Sequence, residues 1–199
     1  MYKRLAVERG ELVNTSDDDT SLASLCLVLQ EKLKVVQPGA EHAHIYHELV
    51  QAIITAVFYP QLAIPRSEWP IHGGRKRIDI VYMNDSREGF LSQRRDEPTS
   101  ATMLIVECKN YTKDICNAEF DQLLGRFDNN RGKFGWMLCR RNEDAARALQ
   151  RCRDAASSQR GYILVITDED LVSWLEAKAK GQDRLIELAL MEKYRDIIS

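Results

Sequence analysis

The sequence lacks any apolar run of the roughly eighteen residues that a membrane-spanning helix needs. Its opening segment, MYKRLAVERGEL, has no apolar core of the kind a secretory leader carries. These absences lead us to expect a cytoplasmic protein that does not enter a membrane. It also lacks a CxxC pair. The five cysteines, Cys26, Cys108, Cys116, Cys139 and Cys152, are odd in number and scattered, which fits reduced thiols better than a disulfide frame or a zinc knuckle. There is no Walker motif and no nucleophile elbow, which excludes a nucleotide-powered motor and a serine-hydrolase site of the common type. No repeat, low-complexity tract, zinc finger or helix-turn-helix signature is present. Nor is there the basic balance of a protein that coats nucleic acid, because the net charge is -2 and the pI is about 6.1.

What is present is enough for one full-sized core: 199 residues, 44% hydrophobic and 29% charged, a length at which two independent domains would each be marginal. The charge is unevenly spread. From Arg126 to Arg160 nine cations face four anions. Taken alone, such a run is a solvated helical face; beside a catalytic site it is a candidate track for phosphates.

Hydrophobic spacing places the elements. Leu22, Leu25, Leu29 and Leu33 recur at helical intervals until Pro38-Gly39 breaks the pattern. A second helix is expected over residues 41–58, where Tyr46, Leu49, Val50, Ile53, Ile54 and Val57 form one apolar stripe and Pro60 stops it. Strands are expected over 62–69 and 77–83, joined at Gly73-Gly74 as a hairpin. The polar stretch 84–102 reads as an inserted loop that touches substrate. Residues 103–107 are an apolar run suited to a strand buried on both faces. Helices over 116–130, 143–157 and 168–178, the last capped by Thr167 or Asp168, alternate with strands over 134–139 and 162–166. Alternation of this kind implies parallel crossovers, so the fold class is α/β with a mixed central sheet. The expected division is an N-terminal helical extension (1–40), a main domain (41–180) and a C-terminal helix packed on the core (181–199).

Two carboxylates on neighbouring strands suffice to hold a hard divalent cation against a phosphodiester. Asp79 lies on one expected strand and Glu107 at the end of the next, where an isolated charge is costly unless it is paired or metal-bound. Side chains alternate along a strand, so Glu107 and Lys109 share a face, and the ammonium is held where it can orient water or stabilise developing phosphate charge. The tripeptide alone means little. Glu176-Ala177-Lys178 repeats it on an expected surface helix with nothing around it.

In their order, RKRIDIVY, MLIVECKNY and AEFDQLLGRF resemble the core of the PD-(D/E)xK nucleases, particularly the Mrr-type restriction-endonuclease-like branch, over residues 45–175. The resemblance implies a restriction-endonuclease-like αβββαβ three-layer core and a Mg2+-dependent endonuclease, with Mn2+ able to substitute. Its substrate would be double-stranded DNA and its setting restriction or anti-phage defence. Residue by residue it makes Asp79 and Glu107 metal ligands, the backbone carbonyl of Cys108 a further ligand, Lys109 the catalytic lysine and Gln122 a helix residue near the metal. Glu48 matches an acid that some members add from the first helix. One position departs: Ile78 precedes Asp79 where the family name has proline. A homodimer or a larger defence complex would supply the second cut and the specificity.

Competing readings stand beside this one. The three charged residues can form a structural ion-pair network; Gln122 can bond only backbone, and Glu48 can face solvent. The chain would then be a catalytically silent nucleic-acid-binding or scaffold module, and a repair or recombination nuclease is a further alternative. His44 and His47 are spaced for zinc, but Gln51 stands where a HExxH motif has its second histidine. Arg75, Lys76 and Arg77 after the glycine turn, with Lys113, Arg126, Arg131 and Lys133, are candidate nucleic-acid contacts.

Overall fold

Five strands form one sheet in which spatial order follows chain order: β1 (Leu62–Ile71), β2 (Lys76–Asn84), β3 (Met103–Lys109), β4 (Phe134–Cys139) and β5 (Tyr162–Thr167). The structure is a computed structural model and describes residues 15–199, so residues 1–14 of the expected N-terminal extension lie outside the described residues. The pairs β1·β2 and β2·β3 are antiparallel, whereas β3·β4 and β4·β5 are parallel. Local chemistry explains the change of direction. Gly73 and Gly74, at φ 67° and 84°, close the first hairpin through Gly74 N–H donating to Ile71 O at 3.1 Å, a left-handed turn that suits glycine. Beyond β3 each strand is followed by a helix that returns the chain, as parallel pairing requires.

The described residues also hold eight helical segments: α1 (Thr15–Val35), a 3-10 turn (Ala40–His42), α2 (Ala43–Phe58), α3 (Gly89–Gln93), α4 (Asn117–Leu124), α5 (Ala145–Ser157), α6 (Asp168–Ala179) and α7 (Asp183–Ile198). The stripe expected on α2 is the buried one, with Phe58 added. Tyr82 donates from its hydroxyl to Gln51 O at 2.8 Å, so the face of β2 that carries Ile78, Ile80 and Tyr82 packs on α2. Phe58, Trp136 and Trp174 stack with ring centroids 5.2 to 5.5 Å apart and lock α2 and α6 to β4. Truncating an aromatic anchor of this kind costs about 3 to 5 kcal/mol. Helices on both faces leave β4 entirely buried and β3 buried except at Met103. No helix among the described residues is long and apolar enough to cross a membrane.

Several expectations change. Leu25 is 45% exposed, and the stripe that α1 buries instead runs through Cys26, Leu29 and Leu33. The helix expected over 116–130 stops at Leu124, because Asp128 accepts from the N–H groups of Asn130 and Arg131 at 2.8 and 2.9 Å and turns the chain. α5 starts at Ala145 because Asp144 caps it, accepting from Arg147 N–H at 3.1 Å. Thr167 is the cap of α6, a contact worth about 1 kcal/mol. The segment 84–102 is no open loop. Phe90 and Leu91 are buried in it, and the Asn84 amide donates to Leu91 O and Ala101 O, each at 2.9 Å.

Candidate active site

The antiparallel ladder between β2 and β3 runs as far as Ile80 opposite Val106, and the fork beyond it gathers the charged residues. Asp79 Oδ2 accepts the Cys108 N–H at 2.8 Å, standing in for the backbone carbonyl that a continuing ladder would offer. In an extended strand the N–H and C=O of one residue point the same way, so the Cys108 carbonyl faces the fork as well.

Strand alternation turns Glu107 and Lys109 toward α4. Lys109 Nζ donates to Glu107 Oε1 at 2.8 Å and to Gln122 Oε1 at 3.0 Å, and Gln122 Nε2 donates to the same Glu107 oxygen. Glu119 fixes the start of α4 by accepting from Cys116 N–H at 2.8 Å, while Phe120, Leu123 and Leu124 bury its inner side. These contacts fix Gln122 where it can reach both charged groups.

Glu107 is fully buried, and its second oxygen, Oε2, has no hydrogen-bond partner among the described residues. An unpaired carboxylate oxygen inside a protein is expensive. Burial, and then the nearby charge of Asp79, push the Glu107 carboxyl well above the usual carboxylate range, against the pull of Lys109 and Arg126. For Lys109, burial acts to lower the pKa, but Glu107 and Asp79 outweigh it and hold the ammonium above its ordinary value. The fork therefore carries two crowded carboxylates, a fixed cation and one orphaned oxygen. Asp79, Glu107 and the Cys108 carbonyl are hard oxygen donors of the type that holds a divalent cation, and the orphaned oxygen fits that use. Burial pushes the Cys108 thiol far up, so it is a packed, protonated side chain and no nucleophile.

Other expected residues fall differently. Glu48 faces solvent 3.3 Å from His44 and does not join the fork. The residue that α2 does turn inward is His47, whose Nε2 lies 4.0 Å from Asp79 Oδ2. A helical wheel carries the signal. His47 precedes Val50 and Ile54 on the buried stripe, whereas Glu48 shares its side with exposed Ala52. With His44 and His47 pointing to different partners, the zinc pair is not assembled.

The basic candidates also separate. Lys76 leans over the end of α4: a Cβ placed on Gly125 would meet Lys76 Nζ at 3.2 Å. Arg75 is tied to His72 O at 3.0 Å and Arg77 lies 3.5 Å from Glu68. Lys113 stands 5.7 Å over the Tyr111 ring, just past β3. Arg126 is buried, with Nε unpartnered, and its charge reaches Glu107. Arg131 and Lys133 lie at the other end of the sheet, because Met103 N–H donates to Arg131 O and Lys133 N–H to Thr99 O. Lys133 precedes Met137, the partner of Glu107, by four residues, about 13 Å along a strand. Segment 84–102 shares that distant end, so it and these two cations stand apart from the fork.

The basic run 126–160 is largely occupied within the protein. Arg141, Arg151 and Arg153 donate to the carbonyls of Thr112, Ile115 and Asp196, Arg160 pairs with Asp121 at 2.8 Å, and Arg140 with Asp168 at 3.0 Å. Arg141, Arg147 and Arg160 nonetheless stay more than half exposed in their ion pairs. Comparison with protein-family models, with curated proteins and with solved structures gave no match to this chain.

Proposed function

We propose that this chain is a metal-dependent endonuclease of the restriction-endonuclease-like αβββαβ class, hydrolysing DNA phosphodiester bonds in restriction or anti-phage defence. The observation that carries the reading is the buried Glu107–Lys109 pair with its unpartnered carboxylate oxygen, facing Asp79 across the fork. The order of elements from α2 through β4, and the resemblance of the three motifs to the PD-(D/E)xK core, support it.

In this reading Asp79, Glu107 and the Cys108 carbonyl hold a Mg2+ or Mn2+ ion. Such an ion supplies positive charge against the phosphate and acidifies water. The chain's own groups do the rest. Lys109 spends two of its three N–H donors on Glu107 and Gln122, and the third is free for the attacking water or a phosphate oxygen. Gln122 holds both charged groups in one geometry, so neither has to reorganise as charge develops. Asp79, tied to the backbone of Cys108, fixes the distance between the two strands. Lys76 and Lys113, at the same end of the sheet, are placed to meet flanking phosphates.

The test is incubation of supercoiled plasmid with the wild type and with Glu107→Ala, in Mg2+ or Mn2+ and then in EDTA. Cutting by the wild type that is lost in the variant and in EDTA is the expected result. Cutting that survives either change rejects the metal site. Binding of DNA with no cutting under any metal favours the silent module.

A further inference from the structure

The fork offers one donor that the nuclease reading does not use. His47 Nε2 and Asp79 Oδ2 are 4.0 Å apart, too far for a hydrogen bond, and the His47 imidazole has no hydrogen-bond partner among the described residues. Two donors that each hold one ion at about 2.1 Å stand between roughly 3.0 and 4.2 Å apart, from adjacent to opposite positions. The observed separation lies inside that window. The Cys108 Sγ lies within 4.8 Å of both donor atoms, so the His47 imidazole stands over the same residue whose backbone N–H holds Asp79. Both side chains are also largely withdrawn from water, His47 at 20% and Asp79 at 15% exposure, so their positions are set by α2 and β2. Glu107 Oε2, fully buried and unpartnered, is a separate sign that this region is short of a cation.

We infer that His47 is a ligand of the ion held at Asp79 and that its nitrogen makes the site select Mn2+ over Mg2+. This inference rests on the metal site of the proposed nuclease. Mg2+ is a hard ion that prefers oxygen and sheds water reluctantly, so an imidazole in its shell adds little. Imidazole is a better donor to the transition metals, and Mn2+ accepts nitrogen beside carboxylates more readily than Mg2+ does. His47 comes from a helix rather than from the sheet, so α2 both covers the core and completes the site. Its inward turn follows from its place on the stripe with Val50 and Ile54.

The measurement is Mn2+ binding to the intact chain without nucleic acid, read from the loss of the free-ion paramagnetic resonance signal, with Mg2+ added as competitor. The variants are His47→Ala, His47→Gln and, as a control, Asp79→Asn, each first checked for an unchanged melting profile. His47→Ala is expected to weaken Mn2+ binding at least tenfold and Mg2+ binding less than threefold. His47→Gln, which keeps the bulk and offers an oxygen, is expected to keep Mg2+ binding and lose the Mn2+ advantage. Asp79→Asn should abolish both. If the wild type and His47→Ala bind Mn2+ equally while Asp79→Asn does not bind, the role of His47 is wrong and the metal site stands. A wild type that binds neither ion overturns the metal site itself, and the inference with it.

Discussion

Two acid–base pairs largely withdrawn from water can be compared among the described residues, and they differ in how their carboxylates are used. Asp168 accepts from Tyr46 Oη at 2.9 Å on one oxygen and from Arg140 Nε at 3.0 Å on the other, so its carboxylate is fully used. Glu107 crowds Lys109 and Gln122 onto one oxygen and leaves the second with nothing. The first pair joins elements, since Arg140 also donates to Val36 O at 2.9 Å and so ties α1 to β4 and α6. The second ties little together and stands beside another carboxylate. In the first pair the atom left without a partner among the described residues is a donor, Arg140 Nη1; in the second it is an acceptor, Glu107 Oε2, and only an acceptor calls for a cation. A pair that holds back an oxygen has its missing partner elsewhere.

The largest difference to test is in activity. Glu107→Ala or Lys109→Ala should lower plasmid cleavage by about a thousandfold, in the range of removing a group that stabilises transition-state charge. Asp168→Asn should leave the rate per folded molecule within a factor of about three. Equal losses from the two substitutions would erase the distinction.

Stability should run the other way. Breaking the Asp168–Arg140 pair strands a largely buried guanidinium, and Asp168→Ala should cost about 3 kcal/mol in denaturant melts. In metal-free protein, Glu107→Gln should cost less than about 1 kcal/mol, since it also relieves the repulsion with Asp79. A Glu107 variant that unfolds as readily as the Asp168 variant would make the fork a structural network.

Gln122→Ala should be milder. It leaves both charges and removes what orients them, so a rate loss of about tenfold with little change in substrate affinity is expected. An unchanged rate would reduce Gln122 to a packing residue.

The smallest effect is in pH. Burial pushes the Asp168 carboxyl up to about 6, against the pull of Arg140 and the Tyr46 hydroxyl. A carboxyl whose folded pKa lies above its unfolded value contributes stability that is present below the unfolded pKa and lost as pH rises through the folded one. The wild type should therefore gain on the order of 1 kcal/mol relative to Asp168→Asn as pH falls from 7 to 4.5. A gap that shrinks on acidification would mean that Arg140 and Tyr46 hold Asp168 charged.

Legibility followed the range of the interactions. The alternation of β3 was enough to place Glu107 and Lys109 on one face, and their copy at Glu176 shows why. On a helix, residues two apart point to opposite sides, and Lys178 pairs instead with Asp183 at 3.0 Å while Glu176 faces solvent. The α/β class, the mixed sheet and the stripe of α2 were legible for the same local reasons. The partners of the cations were not, because Arg140, Arg153 and Arg160 reach residues far off in the chain. His47 was legible only on a helical wheel, and Asp79 had to be placed before its turn had meaning. The packing of 84–102 depends on Glu187 of α7, which accepts the Phe90 N–H at 2.6 Å, a contact that polar composition conceals.

The central claim is that the oxygen left over on Glu107 belongs to a metal. Crystals soaked in Mn2+ and measured at the manganese absorption edge test it most directly. The expected result is an anomalous peak bounded by Asp79 and Glu107, absent in Asp79→Asn crystals, and no peak at Asp168 or Glu176. An empty fork in crystals that take up Mn2+ elsewhere would contradict it.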